Sequence, residues 1–150
     1  MPVVSDFIQI IGDAPVTIGD ANVVFEASFN TGGREAGTSV GQTAFLIFNV
    51  RGLTHANQDV VVRVNGTEQG TIQHYFPGGP GVNEGDIDDP AKLRHQNHWY
   101  TQLIALTGSQ LNDGDNELQI EAVRFPGNTA GNTFDDFQIK DMICFFHQNA

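Results

Sequence analysis

Apolar and polar residues alternate along much of this chain with a period of two, the mark of strands that bury one face. Phe25, Ala27 and Phe29 oppose Val24, Glu26 and Ser28, and Leu118, Ile120 and Ala122 oppose Glu117, Gln119 and Glu121. The sharpest local signal is Asp59-Val-Val-Val-Arg-Val-Asn-Gly-Thr-Glu-Gln-Gly-Thr-Ile72, an Asn-Gly pair between β-branched runs, which reads as a hairpin with a two-residue turn. Val60, Val62 and Val64 then point to one face, Val61 and Arg63 to the other. Candidate strands cover 7–11, 16–18, 23–29, 44–51, 60–64, 70–75, 99–106, 117–125 and 134–146, and no segment sustains a helical period. The last run is irregular. Phe137, Ile139, Ile143 and Phe145 share a parity that also places Asp141 inside, and an unpaired buried carboxylate costs too much, so a bulge near Asp141 or a change of sheet is expected.

Thr31-Gly-Gly33, Asn65-Gly66, Asn112-Asp-Gly-Asp115 and Pro126-Gly-Asn128 carry the residues that turns select. Strands separated by such turns, with no helices between them, predict an all-β fold: an antiparallel two-sheet β-sandwich of jelly-roll type, one domain over 1–150, with a closed barrel as second choice. The expected core is Phe25, Phe29, Leu46, Phe48, Val62, Val64, Leu118, Ile120, Phe137 and Ile139. The connection 76–97 exceeds the roughly 12–15 residues of ordinary loops, and 90–96 suits a single helical turn; long loops on a rigid sandwich are common ligand sites.

Composition narrows the function. Eleven Phe in 150 residues supply a core that needs no disulfide, and seventeen Gly suit a turn-rich β protein. A net charge of −11 argues against nucleic acid and against an anionic membrane surface, and favours a cationic partner or metal ion. No run reaches transmembrane length, and Met1-Pro-Val-Val-Ser-Asp6 lacks the basic start and long apolar region of a signal peptide. That leaves open an intracellular chain, a mature fragment or a leaderless export route. Cys144 is the sole cysteine, so no internal disulfide forms; within Met142-Ile-Cys-Phe-Phe146 it reads as a small core hydrophobe, not a nucleophile. The sequon Asn65-Gly-Thr67 is accounted for by the hairpin.

Chemical motifs are sparse. Gly37-Thr-Ser39-Val-Gly41 has the spacing of a nucleophile elbow but lacks the preceding strand and following helix that present such a serine. His95-Gln-Asn-His98 pairs two imidazoles without the closed ligand set of a transition-metal site. Asp86-Ile-Asp-Asp89, Asn112-Asp-Gly-Asp-Asn-Glu117 and Asp135-Asp136 offer the oxygen-rich turns that suit Ca²⁺, although hydrated turns select the same residues. Trp99-Tyr100 opens a strand, so one ring enters the core while the other reaches the opposite face or a sheet end. A Trp in a small sandwich is more often core than platform, whereas an exposed ring there stacks on the apolar C–H face of a sugar.

The succession Val60-Val-Val-Arg-Val-Asn-Gly66, Trp99 entering a strand, Leu111-Asn-Asp-Gly-Asp-Asn-Glu-Leu-Gln-Ile120 and Phe134-Asp-Asp-Phe-Gln-Ile139 resembles the galactose-binding-like jelly rolls, which include many carbohydrate-binding modules. The resemblance covers about the last two-thirds of the chain. It implies a sugar cleft lined by an aromatic at Trp99, with Tyr100, and by an Asn in the loop before the last strand, Asn128 or Asn132. It further implies a structural Ca²⁺ near the end of the sandwich, held by Asp135 or Asp136 with Glu26. The chain departs from the sugar-binding members in its long 76–97 loop and in lacking a second aromatic across the cleft unless Tyr75 or Tyr100 serves.

The leading expectation is thus a non-catalytic module for a glycan or other neutral polar ligand. Second is a structural β-sandwich subunit that self-assembles into a homo-oligomer, particle or filament through faces such as 44–48, since interface centres are depleted in charge. A hydrolase built on Ser39 comes third.

Overall fold

The structure, a computed structural model, describes residues 3–31, 43–53, 59–73, 98–107, 111–124 and 134–149. Among these are nine strands: β1 (Val3–Ile11), β2 (Val16–Ile18), β3 (Val24–Asn30), β4 (Thr43–Arg51), β5 (Val60–Val64), β6 (Thr67–Ile72), β7 (Tyr100–Thr107), β8 (Asp115–Glu121) and β9 (Phe137–Asn149). They form two antiparallel sheets, one ordered β1-β9-β4-β7 with β2 also paired to β9, the other β3-β8-β5-β6. Because β1 and β2 follow the same edge of β9, each sheet is four strands wide, the two-sheet jelly roll expected from the turn pattern. The described residues contain no helix long and apolar enough to cross a membrane.

The hairpin forms as its sequence dictates. Asn65 and Gly66 both take positive φ, 52° and 82°, the geometry that joins twisted strands through two residues, and Val64 pairs with Thr67. Val60, Val62 and Val64 are fully buried while Val61 and Arg63 face out. The second strand of the hairpin is Thr67–Ile72, earlier in the chain than expected, because the tight turn leaves no residues to spare.

The core lies between the sheets and contains nine of the ten expected residues; Phe25 is half-buried and packs against it. In β9 the bulge falls on Asp141, whose φ is +54° and whose amide donates to the Gly12 carbonyl at 2.9 Å. Pairing slips between Gln9 and Ile11 on one side of β9 and between Ile47 and Asn49 on the other. The extra residue reverses the strand's parity: Phe137 and Ile139 are buried before it, Met142, Cys144 and Phe146 after it. Asp141 is thereby kept at the surface, where its Oδ2 accepts a hydrogen bond from Asn49 Nδ2 at 3.1 Å. Ile143 and Phe145 pass to the outer face, with Phe145 stacked on Phe45 at a centroid distance of 4.9 Å and tilted 38° against Phe7 at 5.8 Å. Phe7 is 61% exposed and Leu103 54%, so this outer face presents apolar side chains to solvent.

A second ordering device sits at the far end of the other sheet. Asn116 is fully buried; its Nδ2 donates to the carbonyls of Gly114 (2.9 Å) and Asn112 (3.2 Å), and its Oδ1 accepts from Asn112 N (2.7 Å) and Asn65 Nδ2 (2.9 Å). Asn65 Oδ1 in turn accepts from Glu117 N at 2.9 Å. Thr31 closes the unit, its hydroxyl donating to Asn112 O at 2.8 Å and its amide to Gly114 O at 3.0 Å. The Asn112–Glu117 turn is therefore held from within by amides and carbonyls, while the carboxylates of Asp115 and Glu117 accept from Asn30 Nδ2 (2.8 Å) and Ser28 Oγ (2.6 Å) across the β3–β8 pair.

Candidate functional site

Strand parity settles the Trp99-Tyr100 pair. Tyr100 lies opposite Val50 and turns inward, where its hydroxyl donates to the Gln73 carbonyl. Burial, reinforced by the charge of Asp135, holds that phenol above its usual range. Trp99, one residue earlier, is half-buried at the outer face of the first sheet, contrary to the commoner core placement. Its ring meets two cations, the Arg51 guanidinium and the Lys140 ammonium, each 4.7 Å from the centroid.

These cations are fixed to different degrees. Arg51 donates from Nε (3.1 Å) and from its terminal nitrogen to Gln138 Oε1, and Gln138 Nε2 reaches Thr17 Oγ1 at 3.4 Å. Lys140 has looser ties, 3.9 Å to Asp13 and 4.0 Å to Asp141. Beside Arg51 the surface dips into an open depression of about 450 Å³ lined by Thr17, Arg51, Gly52, Asp136, Phe137 and Gln138. The neighbourhood combines an aromatic ring with donors from Arg51 and Gln138, an amphoteric hydroxyl from Thr17 and an acceptor from Asp136.

Asp136 owes its position to a reciprocal link between the β2–β3 connection and the start of β9. Asp20 N donates to Asp136 Oδ1 and Phe134 N donates to Asp20 Oδ1, each at 2.7 Å. Gly19 permits the approach, since a Cβ there would lie 1.7 Å from Asp136 Oδ1. Asp135 faces the other way and is 1% exposed, with its amide donating to Val123 O at 2.8 Å. Glu26 lies on the exposed outer face of β3 and receives a long 3.5 Å hydrogen bond from Gln119. Among the described residues no three His, Cys, Asp or Glu side chains converge closely enough to hold a metal ion. Asp135 is thus buried and Asp136 exposed, while Glu26 stands on the outer face of β3.

Asn128, Asn132, the 76–97 connection, Tyr75, the Gly37–Gly41 motif and His95 lie outside the described residues. Cys144 is buried in β9, and burial pushes its thiol up to about 12, which fits the inert reading. Arg51 and Lys140 were not singled out from sequence. The usable signal was their register: Arg51 ends β4 opposite Gln138, two residues before Lys140 on the outer face of β9.

No family model and no curated protein matches the chain. Solved structures share its fold. A β-porphyranase of glycoside hydrolase family 86 from the gut bacterium Bacteroides plebeius is similar at 16% identity and TM-score 0.52, over 97% of this chain and 21% of that one. Dimeric latent PorU from Porphyromonas gingivalis is similar at 10% identity and TM-score 0.56, over 99% of this chain and 13% of that one. A family 35 carbohydrate binding module from Clostridium thermocellum is similar at 12% identity and TM-score 0.48, over 93% of this chain and 97% of that one. The chain spans about a fifth of the porphyranase and 13% of PorU. Its class is that of all-β jelly-roll sandwiches.

Proposed function

We propose that this sandwich is a non-catalytic carbohydrate-binding module whose contact surface is the outer face around Trp99. The single observation that carries the reading is the outward placement of the chain's sole Trp beside a depression walled by Arg51, Gln138 and Thr17. A pyranose has an apolar C–H face that stacks on an indole and hydroxyls that pair with such side chains. Lys140, the more loosely tied cation, swings aside to admit the sugar; an exposed cation–π contact of about 0.5–1 kcal/mol is a small barrier to that exchange. The occurrence of the same fold within a β-porphyranase, a glycoside hydrolase by its name, supports the carbohydrate context.

A glycan array probed with the intact chain tests the reading. Retention of one or more glycans, lost in Trp99→Ala and weakened in Arg51→Ala, is the expected result. An array without any retained glycan at high protein concentration removes it. A second reading, self-assembly, is favoured by a separate observation, the outward-facing row of exposed Phe7 and half-buried Phe145 and Phe45 on the same sheet. Phe45 and Phe145 stack on each other, and Phe7 lies tilted against Phe145. Light scattering decides: a strict monomer at high concentration ends the assembly reading, and a defined oligomer raises it.

A further inference from the structure

The opposite sheet carries a depression of its own. Val61 and Arg63 alternate away from the core on β5, Glu121 ends β8, and Asp59 precedes β5; with Arg124 and Phe134 they line an open concavity of about 280 Å³. Arg124 and Phe134 are paired in an isolated bridge, and the guanidinium of Arg124 lies 5.2 Å from the Phe134 centroid. The side chains of Arg63, Asp59 and Glu121 make no hydrogen bond or ion pair among the described residues. A planar five-donor fork and two carboxylates thus stand uncommitted around one concavity that also contains a ring and a valine.

Resting on the carbohydrate reading above, we infer that this concavity is a second saccharide site, one that takes a single neutral pyranose unit with vicinal free hydroxyls. Vicinal hydroxyls accept hydrogen bonds from a guanidinium fork and donate to carboxylates at the same time, whereas a simple anion or cation uses only half of such a wall. Among the described lining residues Arg63 and Arg124 balance Asp59 and Glu121, so these side chains together offer no net charge with which to select an ion, and the chain's −11 opposes anions from a distance. Phe134 and Val61 supply apolar surface for the C–H face. The volume falls near the lower end of small-ligand pockets, roughly 300 Å³, which suits one sugar unit rather than a long chain. The Trp99 face and this one lie on the outer surfaces of different sheets, so one short oligosaccharide cannot occupy both. Two sites on opposite faces let one domain join two polysaccharide strands.

The test is a ¹⁵N–¹H titration of the intact chain with methyl β-D-glucopyranoside, methyl β-D-galactopyranoside and methyl β-D-xylopyranoside at millimolar concentrations. The expected result is saturable shifts of the Arg63, Glu121 and Val123 amides with at least one glycoside. Arg63→Met and Glu121→Gln, both on the outer face, weaken that affinity tenfold or more, and Trp99→Ala leaves it unchanged. Shifts confined to Thr17, Arg51 and Trp99 overturn the second site and leave the proposed function standing. Shifts only at Arg63 and Glu121, with array retention unaltered by Trp99→Ala, uphold the second site and overturn the Trp99 surface. Absence of saturable shifts near Arg63 with all three glycosides overturns the second site, and a methyl glucuronide binding there tenfold more tightly than the neutral sugars overturns the neutral selectivity.

Discussion

Replacing Asn116 with Ala tests the claim that one buried amide holds the hairpin, the Asn112–Asp115 turn and the end of β3 together. Four hydrogen bonds disappear. At a net worth of about 1 kcal/mol each, the upper bound is about 4 kcal/mol. The two carbonyls keep donors from Thr31, which returns part of that sum, while Asn112 N and Asn65 Nδ2 lose their acceptor. The side chain is also fully buried, so its removal leaves a void. The balance is a loss of about 3 kcal/mol, or a fall in Tm of roughly 6–12 °C for a domain of this size. Asn116→Asp should be worse than Ala, because a carboxylate turns acceptor oxygens towards the Asn112 and Gly114 carbonyls and buries a charge. Urea unfolding followed by Trp99 fluorescence and calorimetry measures both variants. A loss below about 0.5 kcal/mol in Asn116→Ala, or an Asp variant more stable than the Ala variant, refutes the reasoning.

Further outcomes follow from other contacts. Trp99→Ala should abolish glycan retention while moving Tm by no more than about 2 °C, since Trp99 is a half-buried surface ring; a large drop in Tm would make it a structural residue. Cys144 is protonated more tightly in the native state than unfolded, so the unfolded state holds fewer protons above about pH 9 and stability must fall from there towards pH 12, by about 1.4 kcal/mol per unit. Urea midpoints across that range should decline in wild type and less in Cys144→Ala, with Tyr100 steepening the decline above its unfolded range near pH 10. Asp141→Val should cost about 1–2 kcal/mol in urea denaturation, because a β-branched residue resists positive φ and the Asn49 contact is lost; an unchanged midpoint would show that the bulge relaxes freely.

Period-two alternation made most of the sandwich readable because each strand buries one face, so a side chain's parity is its location. Where one residue breaks the count, parity alone misleads: Ile143 and Phe145 share the register of Phe137 in sequence yet sit on the opposite side of the sheet. The clash of Asp141 with that register was visible in advance, as a carboxylate at an inward position, and the bulge is how the chain resolves it. The Trp99 surroundings were less legible. Arg51 and Lys140 come from strands that meet only through β4–β9 register, 87 and more residues apart, and no local pattern announces a cation over a ring. The same holds for Asp135 and Asp136: two adjacent carboxylates are countable in the sequence, but only the fold shows that the first is buried and the second exposed.

Val3 lies opposite Asn149 in the β1–β9 ladder, so the chain enters and leaves the sandwich at one spot. Such a layout suits carriage within a host protein: the domain can be set into a loop whose two ends are a few ångströms apart, without prying the host open. It also fixes how the domain answers to force. Pulled by these two positions, the ladder opens one residue pair at a time like a zipper instead of resisting in shear along its length. A domain tethered this way yields at the β1–β9 seam first, while the β4–β7 and β5–β8 pairs stay closed.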